Sequence, residues 1–254
     1  MKNIFFLLLV LINIGCSNRG FYNQTRISSV EKEALIQEAN ILNNKGVQAY
    51  KRGDYKASIK YYKKSIAIKE KILGENDLST ATSYNNLGLV YKRVGEYTKS
   101  QTYIKAGLKI REKILGQTDS LTAQSYNNLG TLYNSMGDSA KAIDYTKKTI
   151  DIKEKIIKKE QIETAVAYNN LGAIQEELGE YNKALSNYFK ALKINEKVLG
   201  KNHPITQNSY KTIALIYYTI GKYQEAQKYA KLAQQDEDKI ELEPIVVEDK
   251  KETI

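Results

Sequence analysis

The strings Tyr84-Asn85-Asn86-Leu87-Gly88, Tyr126-Asn127-Asn128-Leu129-Gly130 and Tyr168-Asn169-Asn170-Leu171-Gly172 are identical and stand 42 residues apart. One step back falls on Leu42-Asn43-Asn44-Lys45-Gly46, and one step forward on Tyr210-Lys211-Thr212-Ile213-Ala214. The chain therefore holds five copies of one unit, and its 254 residues can form a single array.

A second glycine keeps phase at Gly53, Gly95, Gly137, Gly179 and Gly221, where a helix must end and reverse. Glycine supplies the left-handed backbone that such an end requires. An aromatic follows at Tyr55, Tyr97, Tyr181 and Tyr223, and a small residue at Ser58, Ser100, Ala142, Ala184 and Ala226 lets two helices approach closely. Each unit is predicted to be two antiparallel helices. In unit two, Tyr84, Leu87, Gly88 and Tyr91 make one buried stripe, and Tyr103, Ile104, Leu108 and Ile114 make its counterpart on the second helix. Leu73-Gly74 and Leu115-Gly116 close second helices, and Asp77, Asp119 or Asn202 would cap the helices that follow. Pro204 suits a first turn, and Ser28-x-x-Glu31 resembles a capping box opening the first helix.

The pattern Tyr-x-x-Leu-Gly-x-x-Tyr, with Gly, Tyr and Ala in phase behind it, resembles the tetratricopeptide repeat. The 42-residue period and the linker Val198-Leu199-Gly200-Lys201-Asn202-His203-Pro204 are most similar to its kinesin light chain-like subgroup. The likeness covers residues 29–240, with departures at Lys45, at Gln175 and in the linker Ile157-Lys158-Lys159-Glu160. It implies an all-α, right-handed superhelical solenoid of five helix pairs. Its first helices would line a concave groove that binds a protein or peptide.

At about 100° per residue, Asn85, Leu89, Lys92 and Arg93 fall on a face that the helix pair does not need for its own packing. The same register holds Asn43, Asn127 and Asn169, failing only at Lys211. An amide both donates and accepts, which suits a ladder gripping an extended peptide backbone. In the family that the sequence resembles, matching asparagines hold cargo peptides, which would carry over to Asn43, Asn85, Asn127 and Asn169. The alternative is that these amides bond across the repeat interface, as Asn44, Asn86, Asn128 and Asn170 are expected to do. Lys51, Lys92 and Arg93 would make one end of the groove basic, against Glu176 and Glu177 in unit four, and so suit a ligand with an acidic end.

Residues 1–15 carry one positive charge and then a short apolar run ending in Gly15, the composition of a secretion signal. Cys16, the only cysteine, follows directly, so no disulfide within the chain is available. The segment resembles a bacterial lipoprotein signal, with Asn13 where that family usually has Leu. The resemblance implies lipidation at Cys16, a tether over 16–28, and a place in the cell envelope, periplasmic or surface. An ordinary signal peptide with an incidental cysteine is the other reading. Residues 241–254 close the chain as an acidic tail, expected to be flexible, around Pro244-Ile245-Val246-Val247. It would be able to fold back onto the basic part of the groove.

Formal charge is +10, and loss of Lys2 with the leader would leave +9. The lysines recur in almost every helix, without the Arg-rich, aromatic-interleaved patch that a nucleic-acid site needs, so acidic partners or an anionic surface are expected instead. No nucleophile with a paired base can be assembled from one cysteine and one histidine, and His203, before Pro204, reads as a helix-start residue. No metal or cofactor site is expected. The chain thus reads as a lipid-anchored adaptor that is not an enzyme. A regulatory module of a sensory system and a self-associating envelope protein, hence a homo-oligomer, are the alternatives.

Overall fold

A computed structural model describes residues 27–156 and 161–233; the leader, Cys16, most of the tether, the linker 157–160 and the tail from 234 onward lie outside them. Among the described residues there are ten helices and no strand. Unit one is α1 (Ser29–Lys51) and α2 (Tyr55–Leu73), unit two α3 (Leu78–Arg93) and α4 (Tyr97–Leu115), and unit three α5 (Ser120–Ser135) and α6 (Ser139–Lys155). Unit four is α7 (Gln161–Glu177) and α8 (Tyr181–Leu199), and unit five α9 (Pro204–Thr219) and α10 (Tyr223–Leu232).

Local sequence sets each boundary. Ser28 and Glu31 form the expected capping box, while the Asp77 and Asp119 carboxylates accept N–H groups of the first turns of α3 and α5. The cap of α9 is His203 rather than Asn202: its Nδ1 accepts the Ile205 N–H at 3.2 Å, because Pro204 fixes the first turn one residue later. Gly74, Gly116 and Gly200 end second helices at φ 83–88°, and the phased turn glycines lie at φ 73–79°.

Within a unit, the two helices touch through the glycine of the first and the small residue of the second. A Cβ at Gly88 would stand 2.5 Å from Ile104 Cγ1, and Ser100 Oγ donates to the Gly88 carbonyl at 2.8 Å. Tyrosine pairs stack across the same seam at Tyr91–Tyr103, Tyr133–Tyr145 and Tyr217–Tyr229. Gln175 in unit four is not an isolated departure, since Asn187 stands opposite and donates to its Oε1 at 2.6 Å, one buried amide pair replacing one aromatic pair. The stripe of α3 is buried at Leu87, Gly88 and Tyr91, while Tyr84 is half-buried at the joint with unit one. That of α4 is buried at Ile104 and Leu108 and half-buried at Tyr103, and it is corrected at Ile114, which is exposed in the last turn while Arg111 is buried instead.

Between units, each second helix packs on the next first helix, and the same bond recurs at every joint. The phenols of Tyr84, Tyr126, Tyr168 and Tyr210 donate to Glu70, Glu112, Glu154 and Glu196, each fourteen residues earlier. Lys69, Arg111 and Lys153 sit buried beside these rungs. Lys69 donates to the Ser79 carbonyl and Ser83 Oγ, and Arg111 to the Leu121 carbonyl, Gln124 and Ser125. First helices of successive units also touch, α1 on α3, α3 on α5 and α5 on α7, whereas second helices do not touch one another among the described residues. The array therefore curves with its first helices inside.

Burial first, and then the carboxylate partner, push the hydroxyls of all four rung tyrosines above the usual tyrosine range. A value raised on folding contributes stability that is present below pH 10, the ordinary tyrosine value, and is lost as pH climbs through the folded value. The melting temperature should accordingly hold up to about pH 10 and fall above it. A Tyr126→Phe, Tyr210→Phe chain should melt lower at neutral pH and lose less on going alkaline; parallel curves for the two chains would contradict the linkage.

Candidate functional site

The inner wall is formed by the outward faces of α1, α3, α5, α7 and α9, and the asparagine register runs along it. Each rung meets a different fate, fixed by what the next unit offers. Asn43 Oδ1 accepts from Ser83 Oγ at 3.0 Å. Asn85 is only 2% exposed: its Nδ2 donates to the Ala81 carbonyl, and its Oδ1 accepts from Ser125 Oγ and Asn128 Nδ2, both at 3.2 Å. Asn127 Oδ1 accepts from Asn170 Nδ2 at 3.0 Å. Asn169 is half-buried and makes no side-chain hydrogen bond among the described residues.

The expectation of a four-rung peptide ladder is therefore corrected at Asn85. Its amide is spent inside the joint, with no face left for a ligand. Asn128 and Asn170 bond across the interface as expected of the second asparagine in each pair, whereas Asn86 makes no side-chain hydrogen bond among the described residues and Asn44 stands exposed on the face of unit one against which no described unit packs. Asn169 is released because Thr212 replaces the donor asparagine in unit five, and Ser209 is committed to the Ile205 carbonyl and to Asn195. It borders an open hollow of about 480 Å³ with Asn170, Ala173, Asn208 and Thr212.

The three basic residues do not form one cluster. Lys51 is exposed at the end of α1. Lys92 is half-buried and reaches forward, donating to Thr131 Oγ1 of unit three at 2.9 Å; burial, and then Arg93, hold its ammonium below the usual lysine range. Arg93 reaches back, its Nε donating to the Tyr55 hydroxyl at 3.2 Å beside the ring of Tyr50. Glu176 and Glu177 accept from Tyr188 and Asn134, leaving unit four acidic. Among the described residues, no group of three or more His, Cys, Asp and Glu could hold a metal ion.

Sequence reasoning missed the hydroxyls at Ser83 and Ser125, and the buried cations at Lys69, Arg111 and Lys153. The recurrent pairs Lys69-Glu70, Arg111-Glu112 and Lys153-Glu154, in one register, carried that signal. The charge excess also proves one-sided rather than dispersed. Over the described helices, the five second helices carry 22 Lys and Arg against 7 Asp and Glu, and the five first helices 6 against 6. The inner wall is neutral overall and polarised along its length.

If Asn85 is structural and Asn169 is free, alanine separates them. Asn85→Ala strands the Asn128 amide and takes one partner from Ser125, and should cost about 1–3 kcal/mol. Asn169→Ala should change stability by under about 0.5 kcal/mol. Denaturant midpoints followed by circular dichroism measure both, and equal shifts would refute the distinction.

The family model for the tetratricopeptide repeat matches residues 37–112, 79–155 and 163–235. A search of curated protein sequences returns no match. Among solved structures, the chain is similar to BtubC (BKLC) from P. vanneervenii, at 19% identity over 80% of each chain with a TM-score of 0.67. It is also similar to a putative kinesin light chain from Podosopora anserina with nearly identical TPR-like repeats, at 19% identity over 80% of this chain and 94% of that one, TM-score 0.66. Aspartyl phosphate phosphatase F from Bacillus subtilis matches at 17% identity over 80% of this chain but 51% of its own length, TM-score 0.69. At these identities the likeness is one of fold. With its repeats matched along most of their length and its helix pairs stacked in the manner of kinesin light chain-like arrays, the chain belongs to the tetratricopeptide repeat family.

Proposed function

We propose that the chain is a scaffold held in the cell envelope by a lipid on Cys16, and that its inner wall captures an extended peptide of a partner protein. Repeats of this family make protein-interaction scaffolds, and nothing in the inner wall suggests chemistry of its own. The observation that carries the peptide reading is Asn169, an amide on that wall whose donor and acceptor are both unspent, beside an open hollow. An amide so placed grips a backbone N–H and C=O whatever the side chains are. Lys92 and Arg93 in unit two, against Glu176 and Glu177 in unit four, favour a peptide whose acidic end lies toward the N-terminal units. Cys16, directly behind an apolar leader and Gly15, supports the anchor.

Two measurements address the two halves of this reading. Peptides selected on the chain from a displayed random library should be rich in Asp and Glu at one end. Their affinity, read by fluorescence polarisation, should fall at least about tenfold with Asn169→Ala, the loss of about 1.4 kcal/mol expected for one well-made hydrogen bond. It should fall again with Lys92→Glu, Arg93→Glu. Peptides that bind every variant alike would remove the groove from consideration.

For the anchor, cells fed labelled palmitate should label the wild-type chain and not Cys16→Ser. Label in both, or in neither, rejects lipidation at this residue.

A further inference from the structure

The second helices carry most of the positive charge, with much of it on exposed side chains. Lys105, Lys109 and Lys113 recur every fourth residue along α4 and so share one face, while Lys193 and Lys197 repeat the last two in α8, and Lys71 the last in α2. All six are exposed. The described ion pairs engage Lys99, Lys141, Lys148, Lys153 and Lys183, and none of these six.

Aliphatic side chains fringe the same edge of the array. Ile114 and Val198 follow Lys113 and Lys197 directly at the ends of α4 and α8, and both are exposed. Exposed lysines with an aliphatic fringe match the two layers of a membrane surface, anionic headgroups above apolar chains. A nucleic acid would instead favour arginine forks and aromatic platforms. Arg111 in this wall is buried, and the ring of Tyr103 is stacked on Tyr91 within its own unit. Among the described residues no helix is long and apolar enough to cross a membrane, so contact would be along the surface.

We infer that the outer wall of second helices is an electrostatic docking face for an anionic lipid bilayer, which lays the array on its back with the inner wall turned away from the membrane. The inference stands apart from the groove reading, because it rests on lysines and aliphatic side chains of the second helices. It also stands apart from lipidation, because it predicts binding without Cys16.

The test uses residues 17–254, which retain all ten described helices and their mutual packing. Vesicles of phosphatidylcholine alone, and of phosphatidylcholine doped with phosphatidylglycerol, serve as probes in co-sedimentation. Binding should occur on the doped vesicles only and fall as salt is added. A lysine near an anionic surface strengthens partitioning by about fivefold, so Lys105→Glu, Lys109→Glu, Lys113→Glu should weaken it at least about tenfold. The charge-matched Lys32→Glu, Lys45→Glu, Lys211→Glu, all exposed on first helices, should bind as the parent does, and circular dichroism should show both triples equally helical. Ile114→Asn with Val198→Asn should lower the part of the binding that survives salt. No binding to doped vesicles, equal losses in the two triples, or tighter binding to duplex DNA than to doped vesicles at the same salt would overturn the inference.

Discussion

A helix pair of this sequence has more apolar surface than it can cover alone, and the joint between one unit's second helix and the next unit's first helix is what resolves this. Each joint is closed by buried aliphatic and tyrosine surface, and held in register by polar groups that reach only one correct partner. The tyrosine–glutamate rung recurs at all four joints. A rung fourteen residues long in sequence can form only if the second helix ends, turns and restarts at the right place, so it reports on register as much as on affinity. Stability then sums along the array, unit by unit, instead of residing in one core.

The same dependence explains why the first unit departs from the consensus. Lys45 and Gln48 replace residues that later units bury as Leu87, Val90 and their equivalents, and Arg52 replaces Val94, which is itself exposed. In the structure these three side chains line an open hollow of about 460 Å³ with Ile41, Asn44 and Tyr61, on a face against which no described unit packs. Polar residues there act as a cap, since a stacking face with no neighbour would otherwise expose a strip of aliphatic surface. The far face of unit five is not treated alike: Leu215 is 67% exposed and Tyr218 lies beside it with Tyr223. Among the described residues, the first unit is thus polar and basic where the fifth is partly apolar.

Most of the fold was legible in the sequence because the repeat presents each structural decision five times. The phased glycines, the small residues opposite them, and the caps Asp77 and Asp119 could be placed from register and helix geometry alone. Ile114 could not, because at about 100° per residue it falls off the line of Ile104 and Leu108, and the buried position of that turn goes to Arg111. The asparagines were readable only to the level of a face. Whether an amide on that face is spent or free depends on a residue some 40 positions later, in a helix whose approach is not encoded in the local period. Asn85 meets Ser125 and Asn128, while Asn127 meets Asn170 alone because Ala167 has no hydroxyl. The charge asymmetry was present in the sequence from the start and became visible only once second helices were known to form the outer wall.

The joints show, within one chain, that buried charge is kept only where a compensating group accompanies it. Lys69 and Arg111 are buried, and burial lowers both below their usual ranges; the opposing influence comes from Asp77 and Asp119, the same carboxylates that cap the following helices. In the third joint Lys153 instead meets Glu163 in the first turn of α7. In the fourth the cap is His203, which brings no carboxylate, and the buried position is Asn195, donating to Ser209 at 3.1 Å. A cation there without an acid nearby would leave an uncompensated buried charge, which is among the costliest defects a joint can carry. Cation and acid therefore change together from joint to joint. The same rule governs the inner wall, where Thr212 replaces the amide that would have occupied Asn169. Where a joint's polar pairing is broken on the buried side, the partner is replaced; where it is broken on the open side, the partner is left unspent, and an unspent amide facing a groove is what a binding surface consists of.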